Sequence, residues 1–204
     1  MSGRPRAWQR MLSGRRLDLI DPSPLDIEIA DIAHGLARVA RWNGQTQGAE
    51  IFSVAQHCLL VEALVRVLAP EAAATALLFS LLHDAPEYVI GDMISPFKAV
   101  IGGHYKAVEA RLLEAIHIRF GLAARPPAEA VALIKAADRA AAYFEATALA
   151  GFAIPEAQKL FGAPKLALGG IEVYLKPMRP AEAQEGYLRR FAELDDHAAK
   201  RDPL

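Results

Sequence analysis

The sequence predicts a single all-α domain, and three observations carry that prediction. Apolar residues recur at three- and four-residue steps through most of the chain. The periodic stretches stop at proline and glycine punctuation, as helices do. Strand-like character is confined to one short piece, Ile171-Glu-Val-Tyr-Leu-Lys176, read as a strand or extended segment. A length of 204 residues suits one such domain, able to bury roughly 70% of its unfolded surface.

Taken in order, residues 1–25 read as an irregular extension closing on the turn Asp21-Pro22-Ser23-Pro24. With Asp26 as N-cap, Ile27, Ile29, Ile32, Ala33, Leu36, Val39 and Ala40 define a first helix that Asn43-Gly44 ends. Ser53 caps a second, in which Val54, His57, Leu60, Val61 and Leu64 share a face. After Ala69-Pro70-Glu71 a third runs over about 71–84. A kink is expected at Pro86, which lacks a backbone donor and would collide with the Leu82 carbonyl. Gly91-Asp92 and Ser95-Pro96 punctuate a loop, and helices return over about 104–120 and 127–150. Pro180, at a first-turn position, opens a final helix bearing Tyr187, Leu188, Phe191 and Leu194. The core therefore spans about 26–150, with a C-terminal helical segment over about 151–204, in a bundle-like arrangement without internal repeats.

Composition narrows function. A net charge of −1 excludes a broadly basic, non-specific nucleic-acid binder. No apolar run reaches about 18 residues, so no membrane span is expected. Cys58 is the single cysteine, which disallows an intramolecular disulfide and favours a reducing compartment. The basic start Met1-Ser-Gly-Arg-Pro-Arg6 leads into no apolar h-region, so a cytoplasmic location is expected.

The chemistry-bearing residues are spread along the chain. His83-Asp84 closes the apolar run Ala76–Leu82 and places an imidazole beside a carboxylate. His57 lies on the apolar face of the second helix. Asp138, amid Ala and Ile, is a carboxylate whose burial would be costly without a partner. Glu87 follows His83 by four residues, hence on the same side if the helix continues past Pro86. Two histidines and two aspartates can supply nitrogen and oxygen ligands to one divalent ion and leave positions open. Taken singly, His57 reads as a core histidine and Asp138 as a salt-bridge residue. Trp42 reads as a core cap, and Arg41, Lys98 and Lys135 as surface charge; it is their joint occurrence that argues for a site. Cys58 points about 100° away from His57 around the helix and reads as core. His34 reads as packing, and His104, His117 and His197 as surface or structural residues.

These motifs resemble the HD-domain metal-dependent phosphohydrolases, with most likeness to the YfbR-like 5′-nucleotidases and the phage-type HD-domain deoxynucleoside triphosphohydrolases. The resemblance rests on Arg41-Trp42, Ser53-Val54-Ala55-Gln56-His57, the block His83-Asp84-Ala85-Pro86-Glu87-Tyr88-Val89-Ile90-Gly91-Asp92, and Asp138. It runs from about Asp26 to Tyr143. It implies an HD-domain helical bundle in which His57, His83, Asp84 and Asp138 hold one divalent ion, with Mn, Co, Fe, Zn and Mg all admissible. It further implies a metal-bound water as nucleophile and Glu87 as acid/base. Arg41, Lys98 and Lys135 would then contact phosphate, with Pro96 beside them, Trp42 would wall the sugar or base, and Asp92 would accept the sugar 3′-hydroxyl. The implied substrate is a small deoxynucleotide, and a homo-oligomer is compatible with the C-terminal helix. The 5′-monophosphatase reaction leads and triphosphate release is the alternative. Tyr88 breaks the acidic pair of the alarmone hydrolases, and the Gly-Tyr-Pro block of the cyclic-dinucleotide phosphodiesterases is absent. A nucleotide sensor without turnover is the reading from a different class.

Overall fold

The computed structural model describes residues 6–94, 103–166 and 169–201. Among these residues the chain forms eight α-helices and one two-stranded sheet, which makes it an all-α protein. The helices are α1 (Ile29–Leu36), α2 (Val54–Leu68), α3 (Ala74–Leu81), α4 (Glu87–Ile90), α5 (Gly103–Arg119), α6 (Ala128–Ala148), α7 (Ile154–Phe161) and α8 (Pro180–Arg201).

Helix α2 is the axis of the fold. Every residue from Val54 to Val65 is buried, so up to its exposed last turn this helix lacks a solvent face and behaves as a core helix. It packs against α6, α3, α8 and α1. Its start is well specified: the Ser53 hydroxyl accepts the Gln56 N–H, as an N-cap should. The helices packed on it add Leu36, Leu78, Leu81, Ile134, Phe144 and Tyr187 to the same buried core. Full burial of each large apolar side chain contributes about 1.5–3 kcal/mol. Prolines set other starts, with Pro127 preceding α6 and Pro180 opening α8.

Several expectations change at this level. The N-terminal stretch is not irregular. Strand β1 (Trp8–Arg10) pairs antiparallel with β2 (Arg16–Asp18), Gln9 opposite Leu17. Leu17 is fully buried and the Ser13 backbone N–H donates to Asp31 at 3.0 Å, so the hairpin is anchored to α1. Asp26 does not cap α1. It ends a 3-10 turn over Pro24–Asp26, and Glu28 takes the N-cap position.

The first helix stops at Leu36 rather than Asn43, because the backbone then pairs with the entrance of α2. Val54 N–H donates to the Val39 carbonyl and Arg41 N–H to that of Phe52. The segment expected to be extended near residues 171–176 is instead a 3-10 turn, Glu172–Leu175. Buried Gln56 explains it, since its amide donates to the Lys176 carbonyl and accepts the Met178 N–H, holding the turn's exit against α2. Helix α7 gives the C-terminal segment an element that the sequence reading did not resolve. No helix among the described residues is long and apolar enough to cross a membrane.

Candidate metal centre

The third helix ends earlier than expected, and this is what builds the site. Leu82 leaves helical geometry at φ −92°, ψ 0°, and its carbonyl accepts from Ala85 N–H. Pro86 has no N–H to offer that carbonyl, so α3 stops and α4 restarts at Glu87. The expected kink is thus a complete break, and His83 and Asp84 sit in the turn between two helices. On the far side, buried Tyr187 of α8 donates its hydroxyl to the Leu81 carbonyl at 3.1 Å and braces that turn.

His57 comes from the middle of α2's buried surface, Asp138 from α6, and His83 with Asp84 from the turn. The structure groups His57, His83 and Asp138, with one ligand atom of each within 4.8 Å of the others. The Asp138 Oδ1 lies 3.3 Å from His57 Nε2. The Asp84 Oδ2 lies 3.4 Å from the same nitrogen and 3.2 Å from His83 Nε2. These contacts are close without being aligned as hydrogen bonds, and both Nε2 atoms are buried with no hydrogen-bond partner.

Two ligands at about 2.1 Å from one ion, roughly 90–109° apart, stand about 3.0–3.4 Å from each other. The observed separations are therefore those of neighbouring corners of a coordination shell, and the donor set fits a divalent cation. Asp138 corrects one expectation. Its side chain is 46% exposed, not buried among Ala and Ile, so the centre opens to solvent on that side.

Each imidazole is aimed from behind. His83 Nδ1–H donates to the Ser80 carbonyl at 2.8 Å, which leaves Nε2 facing the centre. His57 Nδ1–H donates to Glu145 Oε1 at 2.6 Å. Such partners fix which ring nitrogen is free for a metal. The electrostatics agree. Burial and the Arg41 charge oppose protonation of His57, but Glu145, Asp138 and Asp84 outweigh them and its pKa stands well above the usual value. Burial likewise opposes protonation of His83, and adjacent Asp84 reverses it, with Cys58 adding to the effect. Asp84 is held well below the usual carboxylate range: burial works against this, and His83 and His57 prevail. The cluster thus favours positive charge, as a candidate cation site should.

Around the centre, Arg41 and Trp42 lie in a short turn whose Trp42 and Asn43 adopt left-handed backbone, φ 57° and 51°. That conformation is uncommon for non-glycine residues and marks a geometry imposed by the surroundings. Arg41 Nη1 sits 3.3 Å from Asp92 Oδ2 and its Nε 3.5 Å from Glu145 Oε2. Trp42 Nε1–H donates to Glu145 Oε2 at 2.9 Å, and its ring packs on Phe152 and Phe161. Asp92 reaches Arg41 because Gly91, at φ 75°, turns the chain at the end of α4. Glu87 is 2% exposed at the start of α4. Burial raises the Tyr105 phenol, with Glu109 adding to the rise and Glu87, Asp92 and Asp84 following, which puts Tyr105 in the field of these acids.

Lys135 is exposed and lines a groove of about 460 Å³ with Arg139, Lys165 and Phe161; none of the residues of the centre lines that groove. Pro96 and Lys98 lie outside the described residues, as does the His104 side chain. His117 is structural: it is buried, bonds the Ala124 carbonyl at 2.9 Å and meets Phe79 edge-on. Cys58 is core as expected, yet it also lies against the His83 ring.

Glu145 was absent from the site residues expected from the sequence. A signal for Glu145 existed: it follows Asp138 by seven residues, two turns along the same face of α6, among Ala141, Phe144 and Ala146.

Fold and centre together define an all-α protein with a candidate divalent-cation site. No protein-family model matches the chain. It belongs to the same family as an uncharacterized protein of Rhodobacter capsulatus, to which it is 54% identical over 190 residues, covering 93% of this chain and 96% of that protein.

Proposed function

We propose that this protein is a divalent-metal-dependent phosphohydrolase of the HD-domain type, acting on deoxynucleotides as a 5′-monophosphatase. The observation that carries this reading is the pair of buried, partnerless Nε2 atoms facing Asp84 and Asp138, with a guanidinium in the wall beside them. His57, His83 and Asp138 would hold the cation, with Asp84 as fourth ligand. When bound, such a cation lowers the pKa of a coordinated water and neutralises phosphoryl charge.

The chain's own groups do the rest. Arg41, oriented by Asp92 and Glu145, binds a non-bridging phosphate oxygen. Trp42 walls the nucleoside. Glu87 accepts the proton of the attacking water and returns one to the departing 5′-oxygen, so that the P–O5′ bond breaks and nucleoside and orthophosphate leave. Asp92, engaged with Arg41, orients that guanidinium and offers its remaining oxygen to the sugar 3′-hydroxyl. The monophosphate reading is supported by Arg41, whose guanidinium stands beside the centre and meets the charge of one phosphate group.

The test is a panel of deoxynucleoside mono- and triphosphates given to the metal-loaded protein, with the released species identified. Orthophosphate from monophosphates is expected. Inorganic triphosphate would move the reaction to the α-phosphorus, and no release from any nucleotide would overturn the enzyme reading.

A further inference from the structure

Glu145 stands behind the centre, fully buried on α6, and both of its carboxylate oxygens are in use. Oε1 accepts the His57 Nδ1–H at 2.6 Å, while Oε2 accepts the Trp42 indole N–H at 2.9 Å and faces Arg41 Nε at 3.5 Å. An ionised carboxylate is expensive to bury unless every lone pair meets a donor. Here the donors are a metal-facing histidine, the aromatic wall and the guanidinium, so one side chain joins the two halves of the site.

We propose that Glu145 is a positioning residue, which orients His57 so that Nε2 faces the cation and which fixes the left-handed Arg41–Trp42 turn against the same point. The inference rests on the metal-binding part of the reading above and is independent of the substrate. A carboxylate behind a ligating histidine holds the ring's tautomer and angle and raises its donor strength; losing such a partner typically weakens metal affinity 10–100-fold. Glutamine cannot substitute. It keeps the volume, but its amide nitrogen is a donor set against either the imidazole N–H or the indole N–H. Trp42→Phe removes only the indole donor and leaves the His57–Glu145 bond intact.

The experiment is calorimetric titration of Mn²⁺ into metal-free wild type, Glu145→Gln and Trp42→Phe, with circular dichroism to confirm the fold of each. We expect Glu145→Gln to bind about 10–100-fold more weakly and Trp42→Phe to stay within about threefold of wild type. A merely structural role would lower the unfolding temperature of Glu145→Gln while leaving the affinity of its folded form unchanged, and that result overturns the proposal. A second readout covers a variant that does not fold. In ¹⁵N-labelled, Zn²⁺-loaded wild type the His57 ring is expected to carry its proton on Nδ1 as a slowly exchanging, strongly downfield signal. Protonation on Nε2 would overturn the assignment. Failure of wild type to bind any divalent ion overturns this inference and the metal centre together. Normal binding without nucleotide hydrolysis counts against the phosphohydrolase alone.

Discussion

Gly35 and Gly186 form a matched pair whose alanine variants should move stability in opposite directions. Gly35 lies in α1 where that helix crosses α4. A Cβ built there meets Tyr88 Cβ and the Tyr88 carbonyl oxygen, each at 2.8 Å. Neither atom is the free end of a side chain, so α1 and α4 must separate by about 0.6 Å to reach an ordinary contact of about 3.4 Å. Alanine gains about 1 kcal/mol of helix propensity over glycine. Overpacking in a filled interface costs about 1–3 kcal/mol, and with two fixed atoms the upper half applies. The net is a destabilisation of about 1–2 kcal/mol, which for a domain of this size lowers Tm by about 2–8 °C.

At Gly186, in α8, the added Cβ would meet only Leu59 Cδ1 at 3.6 Å, a normal contact. There the propensity gain stands alone, and Gly186→Ala should raise Tm by about 2–4 °C. Thermal unfolding followed by circular dichroism reads both. Shifts of the same sign, or a Gly35→Ala protein as stable as wild type, would refute the close approach of α1 and α4. The site has a stake in the outcome, because α4 begins at Glu87.

Two further predictions concern the centre. In the metal-free protein His57 and His83 have raised pKa values, so their stabilising effect is present below the unfolded value of about 6.5 and is lost as pH rises through the folded values. Asp84, Asp138 and Glu145 are depressed; their contribution is present above about pH 4 and lost as pH falls through their folded values. A cation must displace the histidine protons, so its affinity should rise by up to about tenfold per pH unit for each proton released. The Mn²⁺-induced rise in Tm is therefore expected to grow from pH 6 to pH 8, and a flat response would exclude the histidines as ligands. Separately, Glu87→Gln should keep Mn²⁺ affinity and lose turnover by about 10²–10⁴-fold in a nucleotide hydrolysis assay. Full activity in that variant would remove Glu87 from the chemistry.

The sequence and the fold agree best where the signal is local. Ser53 caps α2 as its position suggested, and Pro127 and Pro180 mark the starts of α6 and α8. What the sequence could not carry is tertiary. Ile171–Lys176 has strand-like residues, but the buried Gln56 amide holds its exit in a 3-10 turn. Trp8–Asp18 contains too few alternating residues to announce a hairpin, and Leu17 joins the core only in the folded chain.

Within the centre, His57, His83 and Asp138 were legible through their motifs, and the structure brings them together. Glu145 was legible by the same reasoning and was missed: a carboxylate on an apolar helix face needs a partner, and this fits Glu145 better than Asp138. Asp138 is half-exposed, whereas Glu145 is fully buried. Pro86 was correctly read as an interruption, but its consequence is larger than a kink: it frees the His83-Asp84 turn to face α2 and α6.

The most direct measurement of the central claim is a crystal of the protein soaked in Mn²⁺, with data collected for anomalous scattering. One strong peak is expected in the space bounded by His57 Nε2, His83 Nε2, Asp84 Oδ2 and Asp138 Oδ1, at about 2.0–2.3 Å from each. No peak there, or a peak held by other residues, would contradict it.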